Sequence, residues 1–301
     1  MTQASGRPRS EEGTHCPVCG GNPPVHVFRL ARGPVAQCAD CGVFIIEDRS
    51  TNSEHDRVYH ENVDRSRFIA YFEPFRKTQY REVLTRIGEA GGRSLLDVGA
   101  AYGWMLEVGS ELGFDCYGIE PSTIEYKPTL ANRILARTLA EHAARSPRRY
   151  DVVTMWHVIE HLEDPFAGIR QIRDLLSRDG IAVIAVPNAG GGLYRVGSAL
   201  ARTLHYNRLM DELWYTHNPN MHRYYFTPQA LSRLVRTADL GIEEVFTWEN
   251  FDWKRIWVRS TNTVGRTVLR VVGPGIHWSR FTANENLILI AQNSPVASAI
   301  S

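Results

Sequence analysis

The 301-residue sequence lacks any apolar run near the roughly 20 residues that a membrane-spanning helix needs. Its first fifteen residues are polar and have no apolar stretch after the basic start, so no secretory signal is predicted. An excess of one charge sign is missing too, because 34 Lys and Arg residues face 33 Asp and Glu residues. We therefore expect a cytoplasmic protein with no membrane partner, and the charge balance disfavours a polyanion as partner of the whole chain.

Cysteine is scarce, with five in the chain, but four of the five form two pairs. Two residues separate Cys16 from Cys19 and Cys38 from Cys41, and eighteen residues lie between the pairs. This spacing is typical of a zinc ribbon, in which four thiolates close a tetrahedral site that stabilises the fold. Two disulfides or a redox-active pair are the alternative, but they suit a secreted or thioredoxin-like protein that nothing else indicates. Cys116 is expected to be an inert cysteine in a buried strand.

The rest of the sequence predicts a doubly wound α/β domain. Apolar residues recur at helical spacing over about 59–88, and strand and helix patterns then alternate. Such alternation indicates a Rossmann-like parallel sheet with a binding crevice at the carboxyl ends of its strands. Thr227 and Pro228 predict the start of a later helix and Gly241 its end. Strands are predicted at 25–30, 43–46, 94–98, 115–119, 150–156, 180–187, 242–248 and 287–292.

Two domains follow from these patterns. Residues 1–50 comprise a polar tail and the zinc ribbon, and residues 51–301 comprise the larger α/β domain. The span 193–280 has twelve basic and seven acidic residues interleaved with aromatic ones. We interpret its first part, around 193–226, as a substrate lid that would stack on a sugar, aromatic ring or nucleotide and hold a phosphate or carboxylate. A helical insertion with an ordinary aromatic core and a solvated basic face is the alternative.

Small residues follow the predicted strand 94–98, where a ligand would press against backbone at the start of a helix. They include Gly99, Ala101 and Gly103. The G-x-G-x-x-G spacing of dinucleotide folds and the Gly-Lys-Ser/Thr of phosphate loops are both missing here. Glu120, at the end of the next strand, can accept hydrogen bonds from both hydroxyls of a ribose. A ligand with a ribose and no pyrophosphate therefore fits better than NAD.

Four segments, in this order, resemble the successive motifs of class I S-adenosylmethionine-dependent methyltransferases. They are DVGAAYG at 97–103, GIEP at 118–121, DVVTMWHVIEHLEDP at 151–165 and VPN at 186–188. The third segment is most similar to a broad bacterial group of small-molecule methyltransferases in which Glu-His and then Asp-Pro follow the fourth strand. The resemblance covers about residues 60–292, and it departs from the family where Ala101 replaces the middle glycine of the first motif.

The resemblance implies a seven-stranded sheet with an antiparallel last strand, S-adenosylmethionine as cofactor, and a small-molecule acceptor. That acceptor would be a sugar or a natural-product intermediate methylated at oxygen, nitrogen or carbon. The cofactor's methionine end would lie on the first turn, its ribose at the acidic residue of the second strand, and its methyl group at the tip of the fourth strand. The implied cofactor contacts are Asp97, Gly99, Ala100, Ala101, Gly103, Glu120, Pro121, Thr138, Leu139, Trp156 and His157.

A sulfonium already activates its methyl group, so the enzyme needs mainly a group that removes the acceptor's proton, and neutral imidazole suits this near pH 7. His161 is the first candidate, and His157 and His222 are the others. Glu160 and His161 could instead cap the following helix, and a metal ion near Glu160 could ionise the acceptor. The pattern H-x-x-E-H at 157–161 also matches inverted zinc metalloproteases, but its first histidine ends a predicted strand and does not lie in a helix.

Two other classes of function stay open. An RNA methyltransferase is one, because a zinc ribbon before this fold resembles certain ribosomal RNA guanine methyltransferases. Residues 1–60 carry six basic and seven acidic residues, which makes a poor phosphate-binding surface and disfavours a nucleic-acid partner. A catalytically inert, methyltransferase-like binding module is the other, and the intact Gly99, Gly103, Glu120 and His161 argue against it.

Overall fold

The computed structural model describes residues 15–46, 65–122, 128–130, 132–214, 222–248 and 286–293. The sequence predictions for the polar tail, for the connector after the ribbon and for the basic and aromatic residues at 249–280 lie outside these residues. Within them the chain forms two sheets, one of four strands and one of seven.

The smaller sheet is antiparallel and combines three strands near the N-terminus with one strand from the larger domain. Its strands are β1 Val25–Leu30, β2 Gly33–Gln37, β3 Phe44–Ile46 and β9 Tyr224–Tyr225. They pair in the order β1-β2-β3-β9. The first and third strands agree with the sequence predictions, whereas β2 and β9 were not predicted. Because β9 comes from the larger domain, backbone pairing holds that domain to the ribbon.

The larger sheet carries the predicted doubly wound architecture. Its strands are β4 Ser94–Val98, β5 Asp115–Ile119, β6 Ile134–Leu135, β7 Tyr150–Trp156, β8 Leu176–Pro187, β10 Gly241–Trp248 and β11 Asn286–Gln292. They pair in the order β10-β11-β8-β7-β4-β5-β6. The pairs from β8 to β6 are parallel, and β11 is antiparallel to both of its neighbours. The prediction of a seven-stranded sheet with an antiparallel last strand is confirmed.

Helices cover both faces of this sheet. The described helices are α1 Arg65–Arg86, α2 Trp104–Glu111, α3 Leu139–Arg145, α4 Pro165–Leu175, α5 Gly192–Leu204, α6 Arg208–Leu213 and α7 Pro228–Arg236. α1 and α2 pack on one face, and α3, α4 and α7 on the other. None of the helices in the described parts of the chain is long and apolar enough to cross a bilayer.

Neighbouring residues of the central strands face opposite cores. Leu95 and Val183 belong to the cluster under α1 and α2, whereas Leu96 and Ile184 belong to the cluster under α4 and α7. A strand buried on both sides has no polar face, because its side chains alternate between two apolar cores. This explains why the strand sequences are apolar throughout.

One predicted helix boundary is wrong. α7 begins as predicted, because Thr227 Oγ1 accepts a hydrogen bond from Ala230 N at 3.2 Å. It ends at Arg236, however, and Gly241, which was predicted to end the helix, is the first residue of β10. Asp239, with a φ of 58°, adopts the left-handed conformation that glycine usually adopts after a helix.

The described residues of the predicted insertion around 193–226 pack on the ribbon through Trp214, the residue after α6. Its indole is fully buried, and its ring centroid lies 5.8 Å from those of Phe28 and Phe44 in the ribbon. On the other side it stacks on Tyr225 of β9, with ring centroids 3.9 Å apart. One side chain thus fills the contact between three parts of the fold.

We expect Trp214→Ala to lower the free energy of unfolding by about 3–5 kcal/mol, because it leaves a large cavity in a closed apolar contact. Tyr206→Ala is the matched control, since the side chain of Tyr206 is 46% exposed and its loss should change stability by less than about 0.5 kcal/mol. Chemical denaturation of both variants measures the difference. Equal stability of the two variants would contradict this account of the contact.

Candidate active site and metal centre

The residues singled out from the sequence lie along one edge of the larger sheet. β7, β4 and β5 are adjacent and parallel, so their carboxyl ends meet there. The turn that follows β4 is hydrogen-bonded to the last residue of β5. Gly99 N and Ala100 N both donate to Ile119 O, at 2.9 and 3.0 Å. This edge is where open α/β sheets bind their ligands.

The turn between β4 and α2 presents backbone and almost no side chain. Gly99 and Gly103 have φ values of 75° and 77°. A Cβ atom at Gly99 would lie 2.4 Å from Val158 Cγ2, and one at Gly103 would lie 2.5 Å from Leu130 Cδ1, so both positions require glycine. Ala101 also has a positive φ, 43°, a conformation that costs an alanine about 1 kcal/mol.

Two buried carboxylates flank this turn. Glu120 Oε2 accepts a hydrogen bond from Ala101 N at 3.0 Å, and Oε1 accepts one from Ser122 N at 3.0 Å. Asp97 accepts a hydrogen bond from Thr154 Oγ1 at 2.6 Å, and burial raises the pKa of Asp97 to about 7. The structure therefore brings Asp97, the turn and Glu120 together, and a carboxylate beside a bare backbone turn suits a ligand that carries a ribose.

The other residues expected to contact a cofactor lie at neighbouring strand ends. Thr138 is the N-cap of α3 and follows β6, and Leu139 is buried behind it. Pro121 is exposed. Trp156 is the last residue of β7, which flanks β4 on the side away from β5. Its ring packs edge-on against that of Tyr80, with ring centroids 4.9 Å apart.

His157 follows β7 in a strained conformation. Its φ is 56°, which is uncommon for a residue other than glycine and is often found at functional sites. Its N–H donates to Ala185 O at 2.9 Å, so the backbone stays attached to β8 as it turns. His157 Nδ1 lies 3.0 Å from Glu160 Oε1, and the imidazole also interacts with the side chain of Asn286. Glu160 therefore orients the ring through Nδ1, and Nε2 is the nitrogen that it does not hold.

Glu160 connects the three candidate histidines. It is fully buried within the short 3-10 helix Ile159–His161. His222 Nε2 lies 4.0 Å from Glu160 Oε1, and the ring centroids of His161 and His222 are 4.7 Å apart. All three candidates for the base thus lie in one cluster. The sequence interpretation treated its central residue, Glu160, only as a helix cap or a metal neighbour.

Burial dominates the electrostatics of this cluster. It raises the pKa of Glu160 to about 7 and lowers the pKa values of His157 and His222 well below the ordinary histidine range. The positive charge of Arg76 lowers the pKa of His157 further, and His161 does the same for His222. The imidazoles of His157 and His222 are therefore neutral near pH 7, as a base or a metal ligand must be.

Two groups near the cluster were not found from the sequence. The guanidinium of Arg76 lies 6.0 Å from the ring centroid of Trp156, and its Nη1 donates to Gln79 Oε1 at 3.0 Å. Asn286, the first residue of β11, is fully buried close to His157. Both residues come from distant parts of the chain, and no local motif marks either of them.

Glu160, His161 and His222 also meet the spacing of metal ligands. One ligand atom from each lies within 4.8 Å of the others, and two imidazoles with a carboxylate suit a divalent first-row metal. The arrangement of inverted zinc metalloproteases is not formed, because His157 lies outside the short 3-10 helix that contains His161.

The two cysteine pairs form matching turns. Gly20 N donates to Cys16 O at 2.8 Å, and Gly42 N donates to Cys38 O at 2.9 Å. Both glycines have positive φ values, 70° and 79°, which the tight turn requires. Each turn directs its two thiols toward the other pair.

The sulfur positions fit zinc. Cys16 Sγ lies 3.8 Å from Cys41 Sγ, and Cys19 Sγ lies 3.7 Å from Cys38 Sγ. Four thiolates bound to zinc at about 2.3 Å in a tetrahedron would be separated by about 3.8 Å. All four cysteines are free of disulfides, so the two disulfides of the alternative are not formed. Cys116 is buried in β5, as predicted.

Comparison with known proteins identifies relatives for most of the larger domain. A family model described as a methyltransferase domain matches residues 72–245. The ubiquinone biosynthesis O-methyltransferase of Aeromonas salmonicida (strain A449) is 27% identical over 171 residues, 54% of this chain and 69% of that protein. The protein of the same name from Salmonella paratyphi A is 29% identical over 117 residues, 36% of this chain and 48% of that protein, so the chain spans about half of this relative.

A solved structure supports the same architecture. The Burkholderia thailandensis 1,6-didemethyltoxoflavin-N1-methyltransferase, with bound 1,6-didemethyltoxoflavin and S-adenosylhomocysteine, has a TM-score of 0.50 at 15% identity. The likeness covers 90% of this chain and 99% of that chain. At this level of identity it shows the fold alone.

Glu160→Gln should change the pH dependence of stability, because it removes one of two opposing contributions, and stability should then fall more steeply below about pH 6.5. Because the folded-state pKa of Glu160 is raised to about 7, its ionisation destabilises the wild-type protein as the pH rises from about 5 to 7.5, by roughly 2 kcal/mol. The variant lacks this loss, whereas the histidines, whose pKa values are lowered, destabilise both proteins below about pH 6.5. Chemical denaturation at several pH values measures the difference.

Glu244→Gln is the control for this measurement, because the side chain of Glu244 is 42% exposed. It should keep the pH dependence of the wild-type protein. Identical curves for the wild-type protein and Glu160→Gln would show that Glu160 does not have a raised pKa.

Proposed function

Since the chain belongs to the methyltransferase-domain family and is an S-adenosylmethionine-dependent methyltransferase, we propose that it methylates a hydroxyl oxygen of a small molecule. The observation that carries this proposal is the Glu160–histidine cluster at the end of β7, next to the turn 99–103. The O-methyltransferase relatives support oxygen as the methylated atom. The acceptor is a sugar or a natural-product intermediate.

The residues around β4 and β5 fit the cofactor. The turn 99–103 has no side chain larger than a methyl group except Tyr102, so the methionine end can lie against backbone. Glu120, buried at the end of β5, would accept hydrogen bonds from the ribose hydroxyls. Thr138 and Leu139 follow the next strand, on the side where the adenine would extend.

His157 is the base that the geometry favours among the three histidines. S-adenosylmethionine, when bound, supplies a methyl group that is already activated for transfer. His157 Nε2 would accept the proton of the acceptor hydroxyl, while Glu160 at 3.0 Å holds Nδ1 and stabilises the imidazolium that forms. His161, the first choice from the sequence, and His222 would then line the acceptor's side of the cluster.

A divalent cation on Glu160, His161 and His222 is the second way to ionise the hydroxyl, because their ligand atoms lie within 4.8 Å of one another. The four cysteines are proposed to hold a structural zinc, since they leave no open coordination position. We retain the division into a ribbon at 1–50 and a methyltransferase domain at 51–301, with the insertion at 193–226 as its acceptor lid. The balanced charge of the ribbon favours a small molecule over RNA.

Glu120→Ala should weaken S-adenosylmethionine binding about 100-fold or more, because two charge-assisted hydrogen bonds are lost. The zinc content should not change, since Glu120 is not a cysteine neighbour. Titration calorimetry measures the affinity and elemental analysis the metal. Glu111→Ala, which removes an exposed carboxylate on α2, is the control and should bind like the wild-type protein. Wild-type affinity in Glu120→Ala would argue against the cofactor site.

His157→Ala should lower kcat by about 10²–10⁴-fold, the usual contribution of a general base. The affinity for S-adenosylmethionine should change by less than about threefold, because we expect His157 to contribute little to the free energy of cofactor binding. Incubating a cell extract with cofactor labelled in the methyl group, followed by mass spectrometry, first identifies the acceptor for this assay.

His161→Ala and His222→Ala are the matched comparisons. A greater loss of kcat in His161→Ala than in His157→Ala would move the base to His161. Losses in His161→Ala and His222→Ala that added Mn²⁺ partly restores would instead favour the metal ion.

A further inference from the structure

Residues 222–227, here called the linking segment, lie between the ribbon and the Glu160 cluster. On the ribbon side, β9 pairs with β3, and Ile46 N donates to Arg223 O at 3.0 Å. On the other side, Arg223 N donates to Glu160 O at 2.9 Å, and Phe226 O accepts a hydrogen bond from the backbone just beyond β8. The segment is therefore hydrogen-bonded to both sheets.

The second cysteine turn rests on the end of the linking segment. Thr227 Oγ1 donates to Cys41 O at 3.1 Å, while the same oxygen caps α7. Gln229 Nε2 donates to Asp40 O, also at 3.1 Å. A change in the backbone of the second cysteine turn would thus break the hydrogen bonds that hold the start of α7 and the linking segment in position.

Aromatic packing fixes the same segment. Tyr225 is fully buried, its ring is stacked at 8° on Trp214, and its hydroxyl donates to Trp214 O at 2.8 Å. The ring centroids of His222 and Tyr225 are 5.2 Å apart. The position of His222 therefore depends on contacts that the ribbon helps to form.

A two-residue strand such as β9 has little stability of its own and needs a partner strand that is already ordered. β3, its partner, begins three residues after Cys41. In small four-cysteine sites the binding of the metal supplies folding free energy, because the apolar core is too small to do so alone. Loss of the metal should therefore disorder β3 and then release β9.

We propose that zinc binding at the four cysteines positions His222 beside Glu160, so that the ribbon is a structural part of the acceptor side of the active site. This inference depends on the proposed function in one respect, which is that the Glu160–histidine cluster faces the methyl acceptor. The cofactor side is built on β4 and β5, whereas the linking segment reaches the ends of β7 and β8. His222 is here a positioned residue, and zinc does not take part in the reaction.

Hydrogen exchange of the full-length protein, with zinc bound and after removal of zinc by a chelator, tests this proposal. Peptides covering 222–227 should exchange at least about tenfold faster without zinc, because the pairing with β3 opens. Peptides covering 150–156 and 181–187 in the larger sheet should keep their protection. The affinity for S-adenosylmethionine should change by less than about threefold, and returning zinc should restore the protection.

Cys41→Ser gives the same test without a chelator, and Cys116→Ser is its control. Both remove one buried thiol, but Cys116 lies in β5, outside the cysteine cluster. Exchange at 222–227 should rise in Cys41→Ser and stay at the wild-type rate in Cys116→Ser.

Unchanged exchange at 222–227 in zinc-free protein would overturn the proposal. Loss of protection in the larger sheet as well would also overturn it, since the ribbon would then support the whole fold and not the acceptor side. A zinc-loaded protein that binds no S-adenosylmethionine would refute the proposed function instead, while the exchange result would still report on the linking segment.

Discussion

The candidate site depends on one property of parallel sheets, which is that adjacent strands end at the same edge. β7, β4 and β5 deliver His157, Gly99 and Glu120 to that edge from three separate parts of the sequence. Each strand is buried on both faces, so the positions of its ends are fixed by the packing of two apolar cores. The packing of the strands therefore holds in place the groups proposed to bind the cofactor and to take up a proton.

Burial shifts the pKa values of the polar groups at this edge of the sheet. It also costs folding free energy, because the groups lose their contact with water. Glu160 is fully enclosed, and a carboxyl group in such a place resists ionisation unless its partners compensate. Its partners are imidazoles that burial keeps neutral. Ionisation of Glu160 costs the protein stability, but the cluster holds a proton acceptor near neutral pH. The positive φ of His157 adds local strain at the same place.

The ribbon is joined to the larger domain more closely than a separate binding module would need. It shares a sheet with β9, an aromatic contact with Trp214, and hydrogen bonds with the start of α7. Three independent kinds of contact thus converge on one short segment. Since that segment also bonds to the backbone of Glu160, the small domain and the histidine cluster form one continuous structure.

Features whose parts lie close together in the chain could be predicted from the sequence. The cysteine turns, the turn at 99–103 and the eight predicted strands each depend on a few neighbouring residues, so spacing and periodicity reveal them. The remaining features emerge from the folded arrangement of the chain. It brought His222 to Glu160, paired β9 with the ribbon and placed Arg76 over Trp156. These contacts join residues that are far apart in sequence, and they follow from how whole sheets and helices pack, which no local pattern encodes.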